Sequence, residues 1–185
     1  PMRYQTLFPT VILLLMPGVC CAQAITTIST GGDARACSFA ATMSLRLNTS
    51  RDDLEPCNRA LQQAPLTKRD RAATFVNRGI LNTALERYQA ALNDYNEALE
   101  LEALPQAWNG KGNLYYLAER YDDALEAYRL SLELNLPEPQ VAYYNLGLVY
   151  ERLNDAAAAE RNYRAALELA PEWSPALERL QGLQR

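Results

Sequence analysis

Small and large apolar residues return every three or four positions over much of this chain, in stretches that come in pairs. One stretch carries Trp108, Gly112 and Tyr115 at helical spacing, with Lys111 completing the stripe, and the next carries Ala124, Tyr128 and Ser131. Spacing of i, i+3, i+4 and i+7 places such residues along one side of a helix. Each pair of stretches therefore predicts two amphipathic helices joined by a short turn.

The pattern repeats. Gly79, Gly112 and Gly147 are spaced by 33 and 35 residues, each in the same setting. The last unit reads Tyr143-x2-Leu146-Gly147-x2-Tyr150, then Ala159-x3-Tyr163, then Ala166 and Pro171. The middle unit reads Trp108-x2-Lys111-Gly112-x2-Tyr115, then Ala124-x3-Tyr128, Ser131 and Pro137. In the first, Phe75-x2-Arg78-Gly79-x2-Asn82 precedes Ala91-x3-Tyr95 and Ala98. Glycine and alanine at facing positions let two helix backbones approach, while aromatics fill the wider gaps. A helical glycine costs about 1 kcal/mol relative to alanine. Its threefold recurrence points to a packing need.

This order of large, small and aromatic positions resembles the tetratricopeptide repeat family, whose helix–turn–helix unit has a period near 34. The resemblance implies an all-α fold, a right-handed α-solenoid with a C-terminal capping helix. The units expected are 72–104, 105–139 and 140–173, with the cap at 174–185. Arg78 and Lys111 stand where the family usually has leucine, and Asn82 where it has tyrosine, departures expected to loosen the junctions.

Laid over residues 33–65, the same template puts Ala41 and Ala60 in the small columns and Cys37 and Cys57 in the aromatic ones. Their 20-residue separation equals those of Phe75 and Tyr95, Trp108 and Tyr128, and Tyr143 and Tyr163. Residues 33–65 are thus read as a degenerate first repeat. Positions facing across an antiparallel helix pair share a constant index sum, so Cys37 and Cys57 should face each other and bond in an oxidising compartment. Pro56 inside the second helix of this unit predicts a late start or a kink. At the other end, Trp173, Ala176, Leu177, Leu180 and Leu183 lie at helical spacing, as a capping helix requires.

Residues 1–24 read as a secretory signal peptide. Arg3 supplies a basic start, Leu7 to Met16 an apolar run, and Ala22-Gln23-Ala24 a cleavage site, leaving 25–32 as a flexible segment. The apolar run is shorter than the roughly 20 residues of a membrane span. Cys20 and Cys21 offer a lipid-anchor alternative, but Pro17-Gly18-Val19 fits the bacterial lipoprotein pattern poorly. The reading is therefore an exported protein of the bacterial envelope, periplasmic, with secreted or lipid-anchored forms as alternatives.

Composition narrows the chemistry. The 185 residues are 49% hydrophobic and 22% charged, as in folded globular proteins. There is no histidine, which excludes histidine-based nucleophilic catalysis and His-containing zinc sites. A net charge of −4 with two lysines gives no footing for nucleic acid. Acids such as Asp94, Glu97, Asp122 and Glu126 fall on the second helices and read as a solvated face. Gly110-Lys111-Gly112 is a chance fragment inside a helix rather than a phosphate loop. Neither a cofactor nor a metal is expected.

Two function classes remain, with a third as a variant. The resemblance implies a non-catalytic scaffold or adaptor that binds a protein or peptide segment in the concave groove lined by the first helix of each repeat. In this sequence that face carries Val76, Ile80, Gln106, Asn109, Asn113, Tyr116, Val141, Tyr144 and Leu148, with Asn145 adjacent. It lacks the lysines and arginine of a carboxylate clamp, so a segment of mixed polarity is expected. A thiol–disulfide redox protein using Cys37 and Cys57 is the alternative, though their spacing is unlike C-x-x-C. A subunit of an envelope secretion or assembly machine is the third reading.

Overall fold

A computed structural model of the chain describes residues 32–44, 48–63 and 65–183. The expected signal peptide at 1–24, and all but the last residue of the 25–32 segment, lie outside the described residues; Gly32 already opens a helix. The described residues form α1 (Gly32–Ser44), a 3-10 turn (Arg51–Leu54) running into α2 (Glu55–Gln63), α3 (Lys68–Ala84), α4 (Tyr88–Leu101) and α5 (Pro105–Leu117). They continue with α6 (Tyr121–Glu133), α7 (Pro139–Arg152), α8 (Ala156–Leu169) and α9 (Ser174–Leu183). Consecutive helices pair as α1 with α2, α3 with α4, α5 with α6 and α7 with α8. Pairs stack through α1 on α3, α4 on α5 and α6 on α7, and α9 covers α8, giving a right-handed α-solenoid.

Local chemistry sets the helix ends. α3 begins at Lys68 because Thr67 caps it, its Oγ1 accepting the Asp70 amide at 3.1 Å. Pro105 and Pro139 open α5 and α7, where a missing N–H leaves no bond unmade. Pro56 lies at the second position of α2 behind the 3-10 turn, so the helix starts late and is not kinked. The turns inside the pairs use a left-handed residue without glycine: Glu86, Glu119 and Asn154 have φ of 57°, 58° and 59°. In the first, the Glu86 amide donates to the Thr83 carbonyl and the Arg87 amide to that of Asn82, closing α3.

The core follows the glycine columns. Tyr95, Tyr128 and Tyr163 are buried with a ring edge on Gly79, Gly112 and Gly147 in turn. A Cβ at Gly79 would come within 2.7 Å of Tyr95, and one at Gly112 within 2.5 Å of Tyr128. Gly110, read from sequence as incidental, seats the Tyr95 ring from the next pair, so that one tyrosine locks two units together. In the first pair Cys37 and Cys57 replace the aromatic contact, with Sγ–Sγ 2.10 Å and Cα–Cα 4.7 Å, beside buried Ala41 and Ala60. The residue just before α9, Trp173, packs on Tyr144 with ring centroids 5.2 Å apart, and Ala176 of α9 is buried.

Candidate functional site

The face shared by α3, α5 and α7 carries the ten residues expected to line a groove, and most of it is enclosed. Val76, Ile80, Asn109, Asn113, Val141, Tyr144, Asn145 and Leu148 are buried, while Gln106 and Tyr116 are partly open. Val76 and Ile80 join Cys37, Ala41 and Leu54 in one apolar cluster, because α1 packs on α3. Tyr144 and Leu148 belong to the cluster of Tyr163 and Ala176, with Trp173 against it. Tyr144 therefore docks the cap, a task that its place in the sequence did not reveal.

The central amides are structural as well as polar. Asn113 Oδ1 accepts from the Tyr128 hydroxyl at 2.8 Å and from Asn145 Nδ2 at 3.2 Å. Asn145 lies on α7, so the second of these bonds ties the first helices of two units together. Buried amides need such partners, and two donors on one carbonyl use its acceptor capacity. Gln106 differs: its Oε1 is enclosed without a hydrogen-bond partner. Tyr116 contacts Tyr121 edge to face at 6.1 Å.

The departures from the repeat pattern prove to be bonded rather than loose. Arg78 donates through Nε and Nη2 to Asp94 at 3.1 and 2.6 Å and through Nη1 to Asn58 at 3.1 Å, and Asn82 Nδ2 donates to Asp94 at 2.8 Å. Asp94 is 4% exposed, so it does not belong to the solvated acidic face expected for it. Part of the sequence signal was available: Arg78 and Asn82 depart from the columns within a single unit. Lys111 lays its ammonium 4.7 Å from the Trp108 ring centre, and partial burial lowers its pKa.

Both bridged cysteines are fully buried. Among the described residues, no group of three or more Cys, Asp or Glu stands where a metal could be held, and no helix is long and apolar enough to cross a membrane. What these helices define is an array of antiparallel helical hairpins with a capped end, a repeat-type architecture.

Residues 104–172 match the tetratricopeptide repeat family model. The matched residues are tetratricopeptide repeats, and such repeats indicate a protein–protein interaction scaffold. It is 30% identical over 99 residues to human tetratricopeptide repeat protein 13, covering 54% of this chain and 11% of that one. It is 35% identical over 82 residues to the mitochondrial import receptor subunit TOM70 of Saccharomyces cerevisiae, covering 44% of this chain and 13% of that one. The chain thus spans only a small part of the curated relatives it matches. Among solved structures, PilF of Pseudomonas aeruginosa superposes with a TM-score of 0.67 at 21% identity, covering 83% of this chain and 69% of that one. The MamA protein gives 0.59 at 17% identity, with 80% of each chain covered. At such identities these two likenesses concern the fold.

Proposed function

We propose that the protein is a non-catalytic scaffold of the bacterial envelope that holds a segment of a protein partner against α5, at the two partly open positions of the predicted face, Gln106 and Tyr116. The observation that carries this reading is the Gln106 Oε1, an enclosed acceptor that folding leaves without a donor. An unsatisfied buried acceptor is costly, at about 1–3 kcal/mol, and a turn of this partly exposed side chain brings Oε1 to the surface, where a backbone N–H of a bound segment removes that cost. At the other end of α5, the partly open Tyr116 ring offers apolar surface together with a hydroxyl.

Export is supported by the leader-like pattern of residues 1–24 and by the Cys37–Cys57 pair, a bond suited to an oxidising compartment. Burial of both sulfurs favours a structural role over redox turnover, which requires an accessible thiolate. The test is affinity capture from the native envelope with the full chain and its Gln106→Ala and Tyr116→Ala variants. Each change should weaken capture of the same partner, Gln106→Ala at an unchanged melting temperature and Tyr116→Ala at a lowered one, because that ring also packs on the core. Capture undiminished in both variants would move the site off this face.

A further inference from the structure

A second site lies away from the groove, between α2 and α4 with α3 as its floor. A cavity of about 300 Å³ opens there among Asn58, Arg78, Asn82, Arg87, Asn93 and Asp94. Comparison with the next unit explains why it is empty of side chains. Positions 82, 87 and 90 correspond, 33 residues on, to Tyr115, Arg120 and Asp123. There the Arg120 guanidinium sits 4.7 Å over the Tyr115 ring and bonds Asp123 at 2.7 Å. Here the ring is replaced by Asn82 and the carboxylate by Ala90. Arg87 keeps the cation but has neither a ring nor a carboxylate as partner among the described residues.

Sealed beneath the cavity is an acceptor without a donor. Asn82 is 4% exposed, and its Oδ1 is enclosed with no hydrogen-bond partner. Its orientation is fixed, because Nδ2 donates to the Asp94 carboxylate at 2.8 Å, and turning the amide would set two oxygens face to face. Arg78 is committed to Asp94 and Asn58. Two arginines against one aspartate leave a single positive charge, carried by Arg87.

We propose that this cavity binds a small hydroxy-monocarboxylate of about sugar-acid size. Its carboxylate pairs with Arg87, whose fork of N–H donors suits two oxygens. The amide N–H groups of Asn58 and Asn93, whose oxygens already accept from Arg78 and Gln89, line the path of the ligand's hydroxyls. The volume stands at the lower end of the range for small-molecule sites, about 300–1,000 Å³, which admits one sugar-sized ring.

Calorimetric titration of the full chain with D-glucuronate tests this, with D-glucose lacking the carboxylate and butyrate lacking the hydroxyls. Saturable glucuronate binding is expected, with glucose and butyrate each about tenfold weaker or more, the loss of one charge-assisted or buried hydrogen bond. Arg87→Ala, a change at an exposed side chain, should weaken glucuronate about tenfold without altering the melting temperature. Asn82→Tyr, which restores the ring of the other units, should abolish binding by filling the cavity. Absence of saturable glucuronate binding, equal binding of butyrate, or undiminished binding in Arg87→Ala would each overturn the proposal, the last leaving an adventitious site elsewhere.

Discussion

Replacing Gly112 with alanine tests whether the repeat is held by close backbone approach. On helix propensity alone the change should stabilise α5 by about 1 kcal/mol. The structure opposes this, since the new Cβ would lie 2.5 Å from Tyr128 Cε1 and 2.6 Å from Cδ1, against an ordinary carbon contact of about 3.5–4.0 Å. The ring must retreat by about 1 Å, but it is 2% exposed and its hydroxyl is tied to Asn113. Overpacking of a sealed core costs about 1–3 kcal/mol, and the fixed ring puts this site at the upper end. Subtracting the propensity gain leaves a net loss of about 2 kcal/mol, or about 4–8 °C in melting temperature for a domain of this size. Gly182→Ala is the matched control. Nothing lies within 4 Å of its Cβ, so the same chemical change in α9 should be neutral or slightly stabilising. Thermal and urea unfolding of the two variants beside the native chain decides the matter. A Gly112→Ala protein as stable as Gly182→Ala would refute the claim that the tyrosine columns dictate the glycines.

Reducing the Cys37–Cys57 bond, or changing both residues to alanine, should lower stability by about 3 kcal/mol for a loop of this length while partner capture persists; an unfolding midpoint indifferent to reductant would count against it. Asp94→Leu should destabilise by about 3 kcal/mol, the lower end for a broken buried pair because Arg78 reaches partly to solvent, whereas adding Arg78→Leu and Asn82→Tyr should recover most of the loss. Failure of that recovery in urea unfolding would show that the cluster was not the cause. Burial raises the phenols of Tyr95, Tyr128 and Tyr163 well above their ordinary value, Tyr163 further by its bond to Glu151. Their contribution is therefore complete below about pH 10, the unfolded value, and declines as pH rises from there towards the folded values, so tyrosinate absorbance from these rings should appear together with loss of helical circular dichroism. Their ionisation with the helices intact would contradict the burial.

Much of the architecture was legible in the chain itself. Periodicity is a local property, and a column such as Gly79, Gly112 and Gly147 with its tyrosine partners can be read without coordinates because one helical hairpin determines both. The same logic carried Cys37 to Cys57, since residues facing across a hairpin are related by sequence position alone. Contacts between hairpins are not so related. Gly110 as the second seat of Tyr95, Tyr144 as the dock for Trp173, and the Asn113–Asn145 bond all join different pairs, and their partners depend on how one unit is rotated against the next. For the same reason the sequence pointed to a face of α3, α5 and α7 but could not tell which of its residues that rotation would enclose. Asp94 shows the limit most clearly. Sequence alone put it among the acids of a solvated helix face, and only the convergence of Arg78 and Asn82 from α3, with α2 standing off on the other side, turned it into a buried acceptor beside a cavity. Helices and hairpins follow from local spacing, whereas burial of a polar side chain is decided by the three-dimensional set of donors around it.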